Sequence, residues 1–266
     1  MKMYTGKPTL AVKFFLFTVF LIGIVLNAFI VLDAEIFNWL LFPSQGTVRT
    51  PSTEGSQGWE GVKKSILLVI PLDCKGKPCG TGTGFVVRPG YVATNAHVLK
   101  CGVKCSKFIL RDYKGMNHEA ELEAIASGQG AEDLAVLRMG EESLPRLALA
   151  DSAEYEVGHD GEEVVTVGYP LVGIASSADK ASVSGRGSIS TFKSDDGMFI
   201  TSGMNMNAGN SGGPVFLART QQVLGLAVGV VRGQISSSSA PVEGIDYVIP
   251  VNRLKNFFLE KTGQSL

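Results

Sequence analysis

Gly209-Asn210-Ser211-Gly212-Gly213-Pro214 is the stretch from which the rest of the chain can be read. Three glycines around one serine describe a backbone that turns sharply and leaves room beside a hydroxyl. Glycine has no Cβ to oppose positive φ, so such a run can aim several amide N–H groups into one concavity. An anion, or an oxygen that becomes one during a reaction, could sit there. Val215 and Phe216 follow Pro214, so the turn feeds a strand, proline being tolerated at a strand's first residue. The plainer reading is a glycine-rich turn between strands. A chemical role for Ser211 requires a base and an orienting acid elsewhere in the chain.

On either side of this turn, short apolar runs recur between glycine-bearing turns: residues 65–70, 84–87, 91–94, 107–110, 134–137, 163–167, 198–201, 214–217, 223–231 and 247–249. Strands at this spacing with few helical patterns predict an all-β barrel or sandwich. Helices are expected only around residues 96–100 and from Val251 to about Lys261, and residues 233–244 (GQISSSSAPVEG) read as a loop. The 266 residues are 45% hydrophobic, enough for a real core, and the net charge of −1 offers no basic field for nucleic acid.

The N-terminus differs in texture. Lys2, Lys7 and Lys13 precede FFLFTVFLIGIVLNAFIVL, residues 14–32, which carries no charge. At ~1.5 Å per residue the run would span about 28 Å, close to the ~30 Å hydrocarbon core of a bilayer. A cleaved signal peptide has a shorter apolar region and a small-residue cleavage site, which Leu32-Asp33-Ala34 does not supply. The expected organisation is a cytoplasmic N-terminus (1–13), a transmembrane anchor (14–32), a polar linker (33–61) and a β domain (62–266) on the extracytoplasmic side, as the positive-inside rule requires.

Only three histidines occur, at positions 97, 118 and 159. His97 stands in Thr94-Asn95-Ala96-His97-Val98, just after the strand 91–94. Asp133 opens the apolar run Leu134-Ala135-Val136-Leu137. Each alone is unremarkable, a structural histidine and a solvated turn acid. In order, His97, Asp133 and Ser211 match one of the three known orders of serine-protease triads, that of the chymotrypsin-type double barrel. The chemistry needs all three. A serine hydroxyl is a poor nucleophile until a neutral imidazole takes its proton, and the imidazole needs a carboxylate to fix its tautomer and stabilise its cation. Backbone N–H groups of Gly209, Asn210 and Ser211 would form the oxyanion hole. His118 and His159 match no motif and are expected at the surface.

The stretches GTGTGFVV, GYVATNAHVL, EDLAVLRM, GNSGGPVF and YVIPVNRLKNF, spread over residues 80–258, resemble the trypsin-like protease domain of the HtrA/Deg family. The resemblance implies two six-stranded antiparallel β-barrels and a C-terminal helix, with His97 and Asp133 on the first barrel and Ser211 on the second. It implies polypeptide substrates, no cofactor and no metal, and a possible homotrimer. It also implies a primary specificity pocket formed by Asn205, Met206, Ala227 and Gly229. No side chain among these carries charge, which favours small or medium apolar residues before the scissile bond. A PDZ domain, usual in this family, is not expected after the C-terminal helix. Asn210 stands where digestive relatives carry the aspartate that pairs with a new N-terminus, so no zymogen-type activation is expected.

Cys74 and Cys79 precede the first motif, and Cys101 and Cys105 follow the His97 segment. Two close pairs are compatible with disulfides, a zinc site or unrelated thiols, and an extracytoplasmic location favours disulfides. The trypsin-like resemblance implies Cys79–Cys101 with Cys74–Cys105; pairing within each CKGKPC and CGVKC segment is the alternative. A protease-fold chaperone or binding protein with little proteolysis is the alternative function.

Overall fold

The sequence ILLVIP at Ile66–Pro71 (β1) lacks polar alternation because both faces of the strand are buried. Leu67 and Val69 point into one core with Val86, Val92, Leu110 and Leu137. Ile66 and Leu68 join a second core that continues through Val164, Val215 and Phe216. A period of two thus sends alternate residues of one strand into two packed layers. This computed structural model describes residues 55–266 except 102, 106, 127–129, 141, 152–158, 172–179, 193–196 and 231–244.

The first layer is a closed antiparallel barrel in the order β1-β2-β3-β6-β5-β4. Its further strands are Gly82–Arg88 (β2), Tyr91–Thr94 (β3), Phe108–Arg111 (β4), Asn117–Ile125 (β5) and Ala135–Met139 (β6). The second barrel closes in the order β10-β11-β12-β9-β8-β7. It is made of Glu163–Gly168 (β7), Ser182–Thr191 (β8), Phe199–Ser202 (β9), Pro214–Leu217 (β10), Val223–Val230 (β11) and Ile245–Pro250 (β12). The double barrel implied by the resemblance is therefore present. Sequence periodicity anticipated ten of these strands and missed β5 and β8.

Among the described residues, three α-helices accompany the barrels: Gly55–Lys63 (α1), Ala96–Leu99 (α2) and Val251–Thr262 (α3). Buried Val251, Leu254, Phe257 and Phe258 give α3 one apolar face, and Phe258 meets Tyr91 edge-on at 5.3 Å. Helix α1 corrects the boundary of the expected linker. Trp59 is buried and packs edge-on against Phe216 at 5.2 Å, so the β domain's core takes in Trp59 from the segment expected as linker. A Ser- and Gly-rich composition hid one aromatic anchor. The apolar run 14–32, most of the linker and the loop 233–244 lie outside the described residues. Among the described residues, no helix is long and apolar enough to cross a membrane.

Cys79 and Cys101 form a disulfide with Cα atoms 6.1 Å apart, so neither is a thiolate available to zinc. Cys74 is also disulfide-bonded, and the side chain of Cys105 lies outside the described residues. The Cys79–Cys101 bridge closes a loop of 22 residues that contains β2, β3 and α2. Closing such a loop restricts the unfolded chain by about 3 kcal/mol. The Cys101→Ser protein should melt several degrees lower than the parent in a calorimetric scan, and an unchanged Tm would show that the bridge does not stabilise the first barrel.

Candidate active site

Two of the three expected residues are brought together by the first barrel. Strand β3 runs into α2, which carries His97, while a short 3-10 turn at Gly130–Glu132 delivers Asp133 to the start of β6. The Asp133 carboxylate holds His97 at two points. Oδ1 accepts the His97 backbone N–H at 2.8 Å, and Oδ2 lies 2.5 Å from Nδ1 of the ring. The buried Asn95 amide donates to the Asp133 carbonyl at 2.8 Å, fixing the acid from behind. Asp133 is buried, whereas the imidazole stays 36% exposed, so one ring edge faces solvent or a substrate.

Ser211 arrives from the second barrel, in the turn before β10. That turn is sewn into β11 by Gly212 N–H to the Ala227 carbonyl and by Ala227 N–H to the Gly213 carbonyl, both 2.8 Å. A Cβ on Gly212, whose φ is 80°, would collide with Thr94 Oγ1, the Thr83 carbonyl and the Asn95 amide. Only glycine lets the serine turn lie this close to the segment leading into α2. In this arrangement Ser211 Oγ donates to the Val228 carbonyl at 3.1 Å rather than to His97.

The oxyanion-hole expectation needs one correction. The Asn210 N–H donates to the Asn207 carbonyl at 3.0 Å inside the turn, so it is not free to bind an oxyanion. The Gly209 and Ser211 N–H groups have no acceptor among the described residues, and Gly209 has a φ of 99°. The Asn210 side chain is fully buried with neither amide atom hydrogen-bonded. An aspartate there would be a buried charge without a partner, in line with the expected lack of an ammonium switch.

Sequence motifs did not reveal Thr83, which grips the serine turn from the other barrel. Its N–H donates to the Ser211 carbonyl at 2.9 Å and its hydroxyl to the Gly209 carbonyl at 2.6 Å. The same hydroxyl accepts the Tyr169 N–H at 3.0 Å. The Gly209 carbonyl oxygen is thus held by Thr83, and with it the orientation of the peptide beyond it. The repeating GTGTG offered no hint of which threonine does this. Thr83→Val keeps the shape but removes the hydroxyl's bonds to the Gly209 carbonyl and the Tyr169 amide. It should cost about 2 kcal/mol of stability and, if the turn loosens, about 10–100-fold in kcat with little change in KM. Equal kinetics for the two proteins would show that Thr83 does not position the turn.

Of the expected pocket residues, Asn205 is exposed with a φ of 49°, while Met206 and Ala227 are buried in the core. Gly229 lies in β11 opposite Tyr247. The other two histidines depart from their expected surface positions. His159 is 1% exposed, its Nδ1 is 2.7 Å from the Glu162 carboxylate, and its ring meets Phe192 edge-on at 4.8 Å. The acidic loop folds back on itself through Glu162 N–H to the His159 carbonyl, which draws the ring inward. His118 is half-buried, 3.1 Å from Asp112. Burial pushes the Asp112 carboxyl up, but hydrogen bonds from His118 and from the Met116 and Lys114 amides outweigh it and hold the group below 3.8.

With this geometry in view, the model of the trypsin-like peptidase domain family matches residues 82–226, more than half of the chain. The chain belongs to the trypsin-like peptidase domain family. Within it, the chain is similar to probable periplasmic serine endoproteases described as DegP-like. It is 33% identical over 174 residues to that of Pseudomonas putida, which covers 64% of this chain and 32% of the relative. Identity is 34% over 173 residues with that of Hahella chejuensis, covering 65% and 33%. This peptidase-family chain therefore spans about a third of the length of these relatives. The solved serine endoprotease of Yersinia pestis has the same fold, with a TM-score of 0.59 at 23% identity, over 79% of this chain and 66% of that one.

Proposed function

We propose that the protein is a serine endopeptidase that cleaves polypeptides through an acyl-enzyme, with Ser211 as nucleophile, His97 as general base and Asp133 as its orienting acid. The observation that carries this reading is the doubly held His97–Asp133 pair beside a serine turn in which the Gly209 and Ser211 N–H groups have no acceptor among the described residues. In the reaction, Ser211 Oγ turns from Val228 to His97, gives its proton to Nε2 and attacks the substrate carbonyl carbon. The Gly209 and Ser211 N–H groups stabilise the resulting oxyanion, each worth about 3–4 kcal/mol in well-formed holes. The imidazolium then protonates the leaving amine, and water hydrolyses the ester by the same relay in reverse.

The same reading includes an anchor at residues 14–32, a domain on the extracytoplasmic side, exported or misfolded chains as substrates, and small or apolar residues before the scissile bond. The DegP-like relatives are described as periplasmic, which supports the location. A possible homotrimer belongs to this reading too. A second reading, a binder with little proteolysis, is favoured by the Ser211–Val228 hydrogen bond, which leaves the hydroxyl away from its base. Casein cleavage by the detergent-solubilised full chain, together with fluorophosphonate labelling mapped to Ser211, decides between them. Substrate retention without cleavage or label would favour the binder.

A further inference from the structure

Beside the catalytic pair lies a surface that the relay does not use. Residues 73–79, between β1 and β2, and residues 100–107, between α2 and β4, carry Lys75, Lys77, Lys100, Lys104 and Lys107 against one acid, Asp73. The whole chain has a net charge of −1, so the excess is local. The two segments are fastened together. Leu72 N–H donates to the Lys107 carbonyl at 2.9 Å, and Cys79 is bridged to Cys101. Asp73 spends Oδ1 on its own turn, accepting the backbone N–H groups of Lys75 and Lys77 at 2.9 Å each. All five lysines are exposed, and none of their ammonium groups has a polar partner among the described residues. Elsewhere Arg138, Arg186, Arg219 and Arg253 each pair with a glutamate. Solubility asks for interspersed charges of both signs, and like charges held on one scaffold repel. Folding and solubility therefore do not account for this clustering.

We propose that these two segments form a docking surface for an acidic stretch of the polypeptide substrate, on the side of the departing amine. The effect on cleavage rests on Ser211 being the nucleophile, whereas the binding does not. Position favours a substrate as the occupant. Lys100 caps α2 by donating its N–H to the His97 carbonyl at 3.4 Å, so the second segment starts within one helical turn of the base. Cys79 stands four residues before Thr83, whose N–H meets the Ser211 carbonyl, a reach of at most about 14 Å. His97 must give its proton to the leaving amine, so the chain that follows the cleaved bond passes the α2 side. At ~3.4 Å per extended residue, the lysines come within reach from about the fourth residue after that bond. The basic surface ends at a groove of about 620 Å³ beyond Lys107, whose far side carries Glu119 and the paired Glu121 and Arg138. Exposed ion pairs are individually weak, so recognition of this kind needs several carboxylates together and falls with salt.

Binding is measured by fluorescence anisotropy on the detergent-solubilised full chain carrying Ser211→Ala. The probes are peptides that share an Ala-Val core and a triglycine spacer and end in a run of four glutamates, glutamines or lysines. At about 0.05 M salt the glutamate peptide should bind about tenfold more tightly than the glutamine peptide, and at about 0.5 M less than about twofold. Lys75→Gln/Lys77→Gln and Lys100→Gln/Lys104→Gln should each lower that preference about threefold, and together abolish it. All these variants should melt like the parent, since the ammonium groups have no partner to lose. Lys64→Gln/Lys180→Gln removes the same charge from other exposed lysines and should leave the preference unchanged. An equal loss in that control, or equal affinity of the parent for the glutamate and glutamine peptides, would overturn the proposal. So would a preference seen in phosphatidylcholine nanodiscs but absent once phosphatidylglycerol is included, which assigns the lysines to the bilayer surface. With Ser211 intact, glutamates after the cleaved bond should lower KM and leave kcat unchanged, and glutamates before it should do neither. Any other pattern refutes the placement. A chain with Ser211 that cleaves no peptide would refute the nucleophile assignment, while anisotropy still decides the docking surface.

Discussion

Replacement of Ser211 by alanine is expected to lower kcat by about six orders of magnitude, to the rate supported by binding and oxyanion stabilisation alone. The hydroxyl is the only one in the turn Gly209–Pro214, and so the only group there able to form an ester with the substrate. Its loss should leave the fold intact. Ser211 Oγ makes one hydrogen bond, to Val228, and the turn itself is held by backbone bonds to Ala227 and Thr83. Casein hydrolysis and fluorophosphonate labelling should therefore vanish while the melting temperature changes little. Retention of more than a per cent of the activity would mean that Ser211 is not the nucleophile.

Asp133→Asn is expected to cost about four orders of magnitude in kcat at neutral pH. With a carboxylate 2.5 Å from Nδ1, the ring carries its proton on Nδ1 and leaves Nε2 free to accept the serine proton. An asparagine that turns its NH2 toward Nδ1 donates there and moves the ring proton to Nε2, the wrong tautomer for a base. The imidazolium formed in the transition state also loses its counter-charge. The second contact, from the His97 backbone to Oδ1, can still be accepted by an amide oxygen, so the geometry should survive. NMR of the ring nitrogens would report the tautomer directly. A variant with the parental tautomer and kcat would remove Asp133 from the mechanism.

Much of the site was legible because its chemistry demands residue types that leave local marks. The serine turn needs glycines, and the histidine and the acid each stand at the mouth of a strand. Strand β10 begins at Pro214, as the turn reading required. Strand β5 was missed because only Ala120 and Ala124 of its nine residues are buried, so no apolar alternation shows. Strand β8 was missed for a different reason. At Gly187 a Cβ would run into the Ser202 carbonyl of the neighbouring strand, so close packing there selects against the apolar side chains that periodicity detects.

Other features left no local mark. Trp59 looked like part of a polar linker, His159 like a surface histidine, and Asp246 carried no motif at all. Each is defined by partners far away in sequence: Phe216, Phe192, and the Asn205–Met206 amides.

By itself the sequence determined the all-β class, the order His97, Asp133, Ser211 and the uncharged turn residue Asn210, since backbone sterics and side-chain chemistry act within a few residues. Only the tertiary structure decided that Thr83 holds the serine turn, that the Asn210 amide is spent inside it, and that a carboxyl lies buried beneath Met206. Hydrogen-bond satisfaction and burial depend on which distant segments meet when the barrels close, and a linear pattern does not encode those meetings.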